Sequence, residues 1–122
     1  MENRIYPVVV NTLKMRDTNF EIDYPQVTCL NNPVVQESIN RTIIENVYEL
    51  IQIQSPFEEM DGTYELKNND KGVLSLTLIN YAFAGGAHGN TIVKALNFDV
   101  ETGHVYTLPE LFKPGSDYVK RI

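Results

Sequence analysis

The sequence predicts an α+β domain in which an antiparallel sheet packs against one long amphipathic helix, spanning about residues 33–53. Three observations carry this. Several short runs alternate apolar with polar residues, the period of a half-buried strand. One stretch instead repeats an apolar residue every four positions. Clusters of Gly, Asn, Asp and Pro punctuate the runs. A length of 122 residues with 43% hydrophobic content, seven Tyr and five Phe suits one packed core.

Residues 4–15 form the first predicted strand, with Tyr6, Val8 and Val10 alternating against Pro7, Val9 and Asn11. Pro7 lacks a ladder donor and suits an edge or a strand's beginning. After the polar turn Arg16–Asn19, Phe20, Ile22 and Tyr24 alternate with Glu21 and Asp23 in a strand that Pro25 brings towards its end. The two runs are close enough to form a hairpin. Asn32 then caps a helix that has Pro33 in its first position, where a missing N–H costs nothing. Val35, Ile39, Ile43, Val47 and Ile51 form its apolar stripe, widened by Leu50. Glu37, Arg41 and Glu45 are spaced for i,i+4 ion pairs, and Ser55-Pro56 ends the helix.

Met60-Asp61-Gly62 reads as a turn, Thr63–Lys67 as a short strand, and Asn68–Gly72 as a polar hairpin loop. Val73–Ala82 is a strand with Leu74, Leu76, Leu78 and Asn80 on one face, and Val73, Ser75, Thr77, Ile79 and Tyr81 on the other. A loop with three glycines in five positions follows, at Gly85, Gly86 and Gly89. Thr91–Val100 is the next strand, Glu101–His104 turns the chain, and Val105–Thr107 pairs back. Leu108–Phe112 fits one helical turn, and Ser116 caps a second helix that starts near residue 117.

A net charge of −6 opposes nucleic-acid binding and docking on anionic membranes, and steers cationic partners inward. Cys29 is the only cysteine, which excludes an intrachain disulfide, and beside Leu30 it is expected to be a small buried hydrophobe. No run reaches the roughly 18 apolar residues of a membrane span, and no signal peptide is visible after Met1.

The residues offer no established catalytic constellation. The glycine loop lacks the lysine of a phosphate loop and leads into a strand rather than a helix. His88 and His104 lie near Asp99 and Glu101 in sequence, an unspecific set for a metal. Ser116, His88 and Asp99 have no nucleophile motif around them, and the adjacent Glu58 and Glu59 read as solvated. The expectation is therefore no catalytic residue, no metal and no cofactor. His88 is read as a residue that holds its loop, and a ligand surface is sought in Tyr81, Phe83, Gly85, Gly86, His88 and Asn90.

Two groups of motifs resemble a known family. The first is Asp23-Tyr24-Pro25-Gln26-Val27 followed by Asn31–Gln36 and the Ile-rich helix. The second is Tyr81–Gly89, Leu96-Asn97-Phe98-Asp99 with Thr102-Gly103, and Leu108-Pro109-Glu110-Leu111-Phe112 through Tyr118. Their succession resembles the paired non-catalytic domains of RsiV-type anti-sigma factors of Gram-positive bacteria and of PdaC-type peptidoglycan deacetylases. The resemblance implies a first module at about residues 1–72 and a second, cut short, at about 73–122. It implies a sheet covered by helices and no enzymatic activity in this portion. It also implies a binding or sensing role outside the membrane, with a basic protein such as lysozyme, or peptidoglycan fragments, as the ligand. The alternative is a structural accessory domain with no ligand of its own. An exposed or truncated sheet edge would further make the chain a dimer.

Overall fold

The computed structural model describes residues 8–84 and 89–106. Strands β1 (Val9–Arg16) and β2 (Phe20–Thr28) form a hairpin, and helix α1 (Pro33–Gln54) follows. Strands β3 (Glu59–Asp70), β4 (Val73–Phe83), β5 (Asn90–Asp99) and β6 (Val105–Tyr106) complete the described chain. The six strands lie side by side in chain order, so the predicted α+β class is the observed one. Every neighbouring pair is antiparallel except β2 and β3. That pair is parallel because α1 carries the chain back along the sheet before β3 begins. The second helix expected near residue 117 lies outside the described residues.

Helix α1 starts where the sequence places it. Asn32 Oδ1 accepts from the amides of Val34 and Val35 at 2.9 and 3.4 Å, and Pro33 sits in the first turn. Such a cap contributes about 1 kcal/mol. Val35, Ile39, Ile43, Val47, Leu50 and Gln54 are its buried residues. The buried line steps by four and then by three at Leu50, leaving Ile51 half-buried, as a 3.6-residue turn requires. Ile39 and Ile43 are fully enclosed, each stabilising the fold by roughly 1.5–3 kcal/mol. They pack on the inner sheet face, where Leu74, Leu76, Leu78 and Ala82 of β4 meet Leu96 and Phe98 of β5.

Several local expectations are corrected. Pro25 does not end β2, which runs on to Thr28. The N and O of Val27 face away from β1, because both bond the side chain of Asn40. Pro25 has the same parity, so its missing N–H lies on a side where the ladder with β3, confined to Phe20–Ile22, has already ended. Met60-Asp61-Gly62 is not a turn but the start of β3, paired with Phe20–Ile22 and with Asn80–Ala82. Gly62 is there for closeness: a Cβ would lie 2.5 Å from Asn80 Oδ1 and 2.8 Å from Ile22 Cγ2. Asn68–Asp70 are strand residues, past a bulge at Lys67, and the turn is only Lys71-Gly72. Both have positive φ, 55° and 81°, as a tight two-residue hairpin demands. Cys29 is exposed rather than buried. Its φ of 65° swings the chain out of β2 and turns the thiol to solvent.

The β1–β2 hairpin is strongly curled. Its buried residues change parity, from Ile22 to Pro25 and Val27. The curl brings the start of β1 to the far end of β3, where the Asn69 side chain bonds both N and O of Val8 at 2.9 Å. Thr12 Oγ1 likewise meets the Tyr64 hydroxyl at 2.6 Å. At the exposed tip, Lys14 bridges Glu21 and Asp23 at 2.8 Å each. The hydrogen bonds to Asp23 and Glu21 raise the Lys14 pKa, and the bond to Lys14 lowers that of Glu21. Arg41 makes the helical ion pair with Glu37 at 3.2 Å.

The close approach at Gly62 generates a test. Gly62→Ala forces Asn80 or Ile22 to move, and overpacking of this kind costs about 1–3 kcal/mol. Urea unfolding is expected to show a lower midpoint with an unchanged slope. An unchanged midpoint would mean that the three strands are further apart there.

Candidate functional site

The two faces of the β3–β5 sheet differ in kind. Alternation along β4 sends Leu74, Leu76, Leu78, Asn80 and Ala82 inward to the helix. Val73, Ser75, Thr77, Ile79, Tyr81 and Phe83 point the other way, and no described element packs over them. Register places Asp61 opposite Tyr81, Glu59 opposite Phe83, and Thr63 opposite Ile79 on this outer face. On the other side, Thr91 lies opposite Tyr81 and Val93 opposite Ile79. Tyr81 and Val93 are 39% and 60% exposed.

The sequence candidates divide along this boundary. Tyr81 and Phe83 belong to the outer face. The Tyr81 ring lies directly over Gly89, in space that a Cβ at that position would occupy. Glycine at 89 thus leaves room for the hydroxyl end of the tyrosine. Asn90 has a structural role on the inner side. Gln54, the last residue of α1, donates to Asn90 Oδ1 at 2.8 Å and to the Asn80 and Asn90 carbonyls at 3.2 Å each. Asn80 Nδ2 returns a bond to Gln54 Oε1 at 2.8 Å. No buried side-chain polar atom of the described residues lacks a partner. Gly85, Gly86 and His88 lie outside the described residues.

Sequence reasoning missed the carboxylates. Asp61 was expected in a turn and Glu59 as one of a solvated pair, yet both stand beside the aromatics on the outer face. The signal was the period-two recurrence of Glu59, Asp61, Thr63 and Glu65, hidden because Gly62 suggested a turn. Neither Glu59 nor Asp61 has an ion-pair partner among the described residues, whereas Glu65 is held by Lys67 at 2.8 Å. Both also line an open depression of about 420 Å³ beneath the β1–β2 turn. Asp17 and Glu21 add two further carboxylates to its wall, against the single guanidinium of Arg16. The field at this end is negative, and a bound cation would meet carboxylates and an aromatic face together.

Of the two histidines, His88 lies outside the described residues. His104 packs edge-on against Tyr106, with ring centroids 4.8 Å apart. Asp99 Oδ1 accepts from the amides of Glu101 and Thr102, so it shapes the turn before β6. Among the described residues no group of three or more His, Cys, Asp or Glu could hold a metal ion. No described helix is long and apolar enough to cross a membrane.

A family model described as Deacetylase PdaC matches residues 14–91. A Mycobacterium tuberculosis protein named as an esterase is 30% identical over 105 residues, which cover 84% of this chain and 45% of that protein. The peptidoglycan-N-acetylmuramic acid deacetylase PdaC of Bacillus subtilis is 23% identical over 115 residues, 85% of this chain and 23% of that protein. The chain therefore spans less than half the length of either relative. Two solved DUF3298 family proteins share the fold. One, from Pseudomonas aeruginosa, has a TM-score of 0.52 at 18% identity, covering 95% of this chain and 62% of that one. The other, from Bacteroides fragilis, has a TM-score of 0.60 at 13% identity, covering 88% and 62%.

The inner amide network that anchors this end can be tested. Gln54→Leu strips the donor from two backbone carbonyls and the acceptor from Asn80 Nδ2. A buried group left unsatisfied costs about 1–3 kcal/mol. Thermal unfolding is expected to fall accordingly, with the Asn90 amide exchanging faster with solvent. Unaltered stability and exchange would show that the network does not hold the strand ends.

Proposed function

We infer, from the premise that the chain belongs to the family described as Deacetylase PdaC, that it is a non-catalytic binding module for a cationic ligand. The outer sheet face is the proposed surface, and its ligand class is a basic protein such as lysozyme, or peptidoglycan fragments that carry amino groups. The observation that carries the reading is the juxtaposition of Asp61 and Glu59 with Tyr81 and Phe83 on a face that no described element covers. A lysine or arginine there gains ion pairing with the carboxylates and contact with the tyrosine ring. The whole-chain charge of −6 speeds the approach of such a partner.

The comparisons support a role apart from catalysis. Relatives named for two different activities, an esterase and a deacetylase, both align with most of this chain while extending well beyond it. A region common to both fits an accessory to their chemistry. The same observation favours a second reading, a structural accessory domain with no ligand.

Calorimetric titration separates the two readings. Lysozyme is expected to bind with an affinity that falls as salt is raised. The double variant Glu59→Gln, Asp61→Asn should bind about tenfold or more weakly, and Tyr81→Ala should also lose affinity. No heat from folded wild-type protein, with lysozyme or with soluble peptidoglycan fragments, would leave the accessory-domain reading standing.

A further inference from the structure

The sheet ends on two edges of opposite character. The β1 edge is guarded: Lys14 and Arg16 sit on it, engaged with Glu21 and Asp23, and its start is closed by Asn69. Charges on an edge are the usual defence against pairing with another chain. Among the described residues the β5 edge has no such defence. Its ten residues, Asn90–Asp99, meet β6 only at Asn97 and Phe98. Thr91, Val93 and Ala95 are uncharged, and Val93, at 60% exposure, is the most exposed apolar side chain of the described strands. The one charge nearby, Lys94, is held at 2.7 Å by Glu49 of α1 on the inner side.

Backbone parity defines which groups are on offer. The Asp99 amide donates to His104 O at 2.9 Å, and its carbonyl accepts from Gly103 N at 2.7 Å, both on the β6 side. Residues of the same parity, Thr91, Val93 and Ala95, therefore aim N–H and C=O at the open edge. We propose that this edge pairs with the same strand of a second copy, antiparallel and centred on Val93. In that register Val93 faces Val93 of the second copy, and Thr91 faces Ala95 in both directions, each pair exchanging both backbone bonds. Lys94 falls opposite Ile92, so no like charges meet. A two-fold axis asks one surface to complement itself, and the alternation Thr-Ile-Val-Lys-Ala does so only because its charge is off-centre and turned inward. The result is one sheet continuing through both copies, with their outer faces on the same side. This pairing is independent of the ligand reading above, since β5 contributes none of the carboxylates.

Light scattering across a concentration series, on wild type and two variants, tests the pairing. Wild type is expected to reach twice the monomer mass. Val93→Lys places charge at the axis, and Val93→Pro removes an N–H that bonds nothing among the described residues; both are expected to remain monomeric at least tenfold beyond the wild-type transition. Amide exchange on unmodified protein is the second readout, with Val93 N–H gaining protection as the dimer fills. A wild type that stays monomeric, a dimer that persists in a folded variant, or a Val93 amide equally protected at every concentration would each overturn the proposal.

Discussion

The fold depends on a parallel ladder that is only three residues long. Phe20–Ile22 pair with Met60–Gly62, and beyond Ile22 the two strands part. Parting leaves buried backbone groups on β2 and just before β1 that no strand serves, and an unserved buried amide costs as much as a lost hydrogen bond. Side-chain amides take the vacant places. Asn40 bonds both N and O of Val27, and Asn69 does the same for Val8. Each amide uses its oxygen as acceptor and one N–H as donor, the same pair of groups that a strand residue presents. Because these contacts replace a ladder, the hairpin can curl over the core, and the helix that supplies Asn40 is fixed against it.

The other end of α1 is held by the same chemistry. Gln54 ties the helix terminus to Asn80 of β4 and to Asn90 at the start of β5. Both strands that frame the outer aromatics are thereby anchored from beneath. Tyr81 lies on a backbone that the inner network keeps in place, and Gly89 lets its ring settle there. The carboxylates reach the same face only because β3 begins as early as Glu59, which the short ladder with β2 makes possible. Core, ladder and candidate surface are thus consequences of one chain path.

Much of this path was legible in the residues. The Asn32-Pro33 cap, the four-residue apolar stripe and the alternation of Leu74, Leu76 and Leu78 each follow from local periodicity, and the structure keeps them, with Leu50 in place of Ile51 at the end of the stripe. What stayed hidden depends on neighbours distant in sequence. Gly62 imitates a turn residue, yet its reason is the crowding of Asn80 and Ile22 from two other strands. Pro25 imitates a strand end, yet its nitrogen faces a side with no ladder. The parallel pairing of β2 with β3 needs the helix between them to return the chain, which no window of residues reveals. At the surface, the aromatics were legible as candidates, whereas Asp61 and Glu59 joined them only through strand register.

The claim that a side chain stands in for a missing strand is tested most directly at one amide. Hydrogen exchange of the Val27 N–H would be compared between wild type and Asn40→Ala. Its partner is 2.8 Å away in the wild type, and Val27 itself has no exposed surface. The expected result is strong protection in wild type and a loss of protection at Val27 that exceeds the loss at the α1 amides. Equal losses throughout would mean that Asn40 contributes only general stability, and unchanged protection at Val27 would contradict the account.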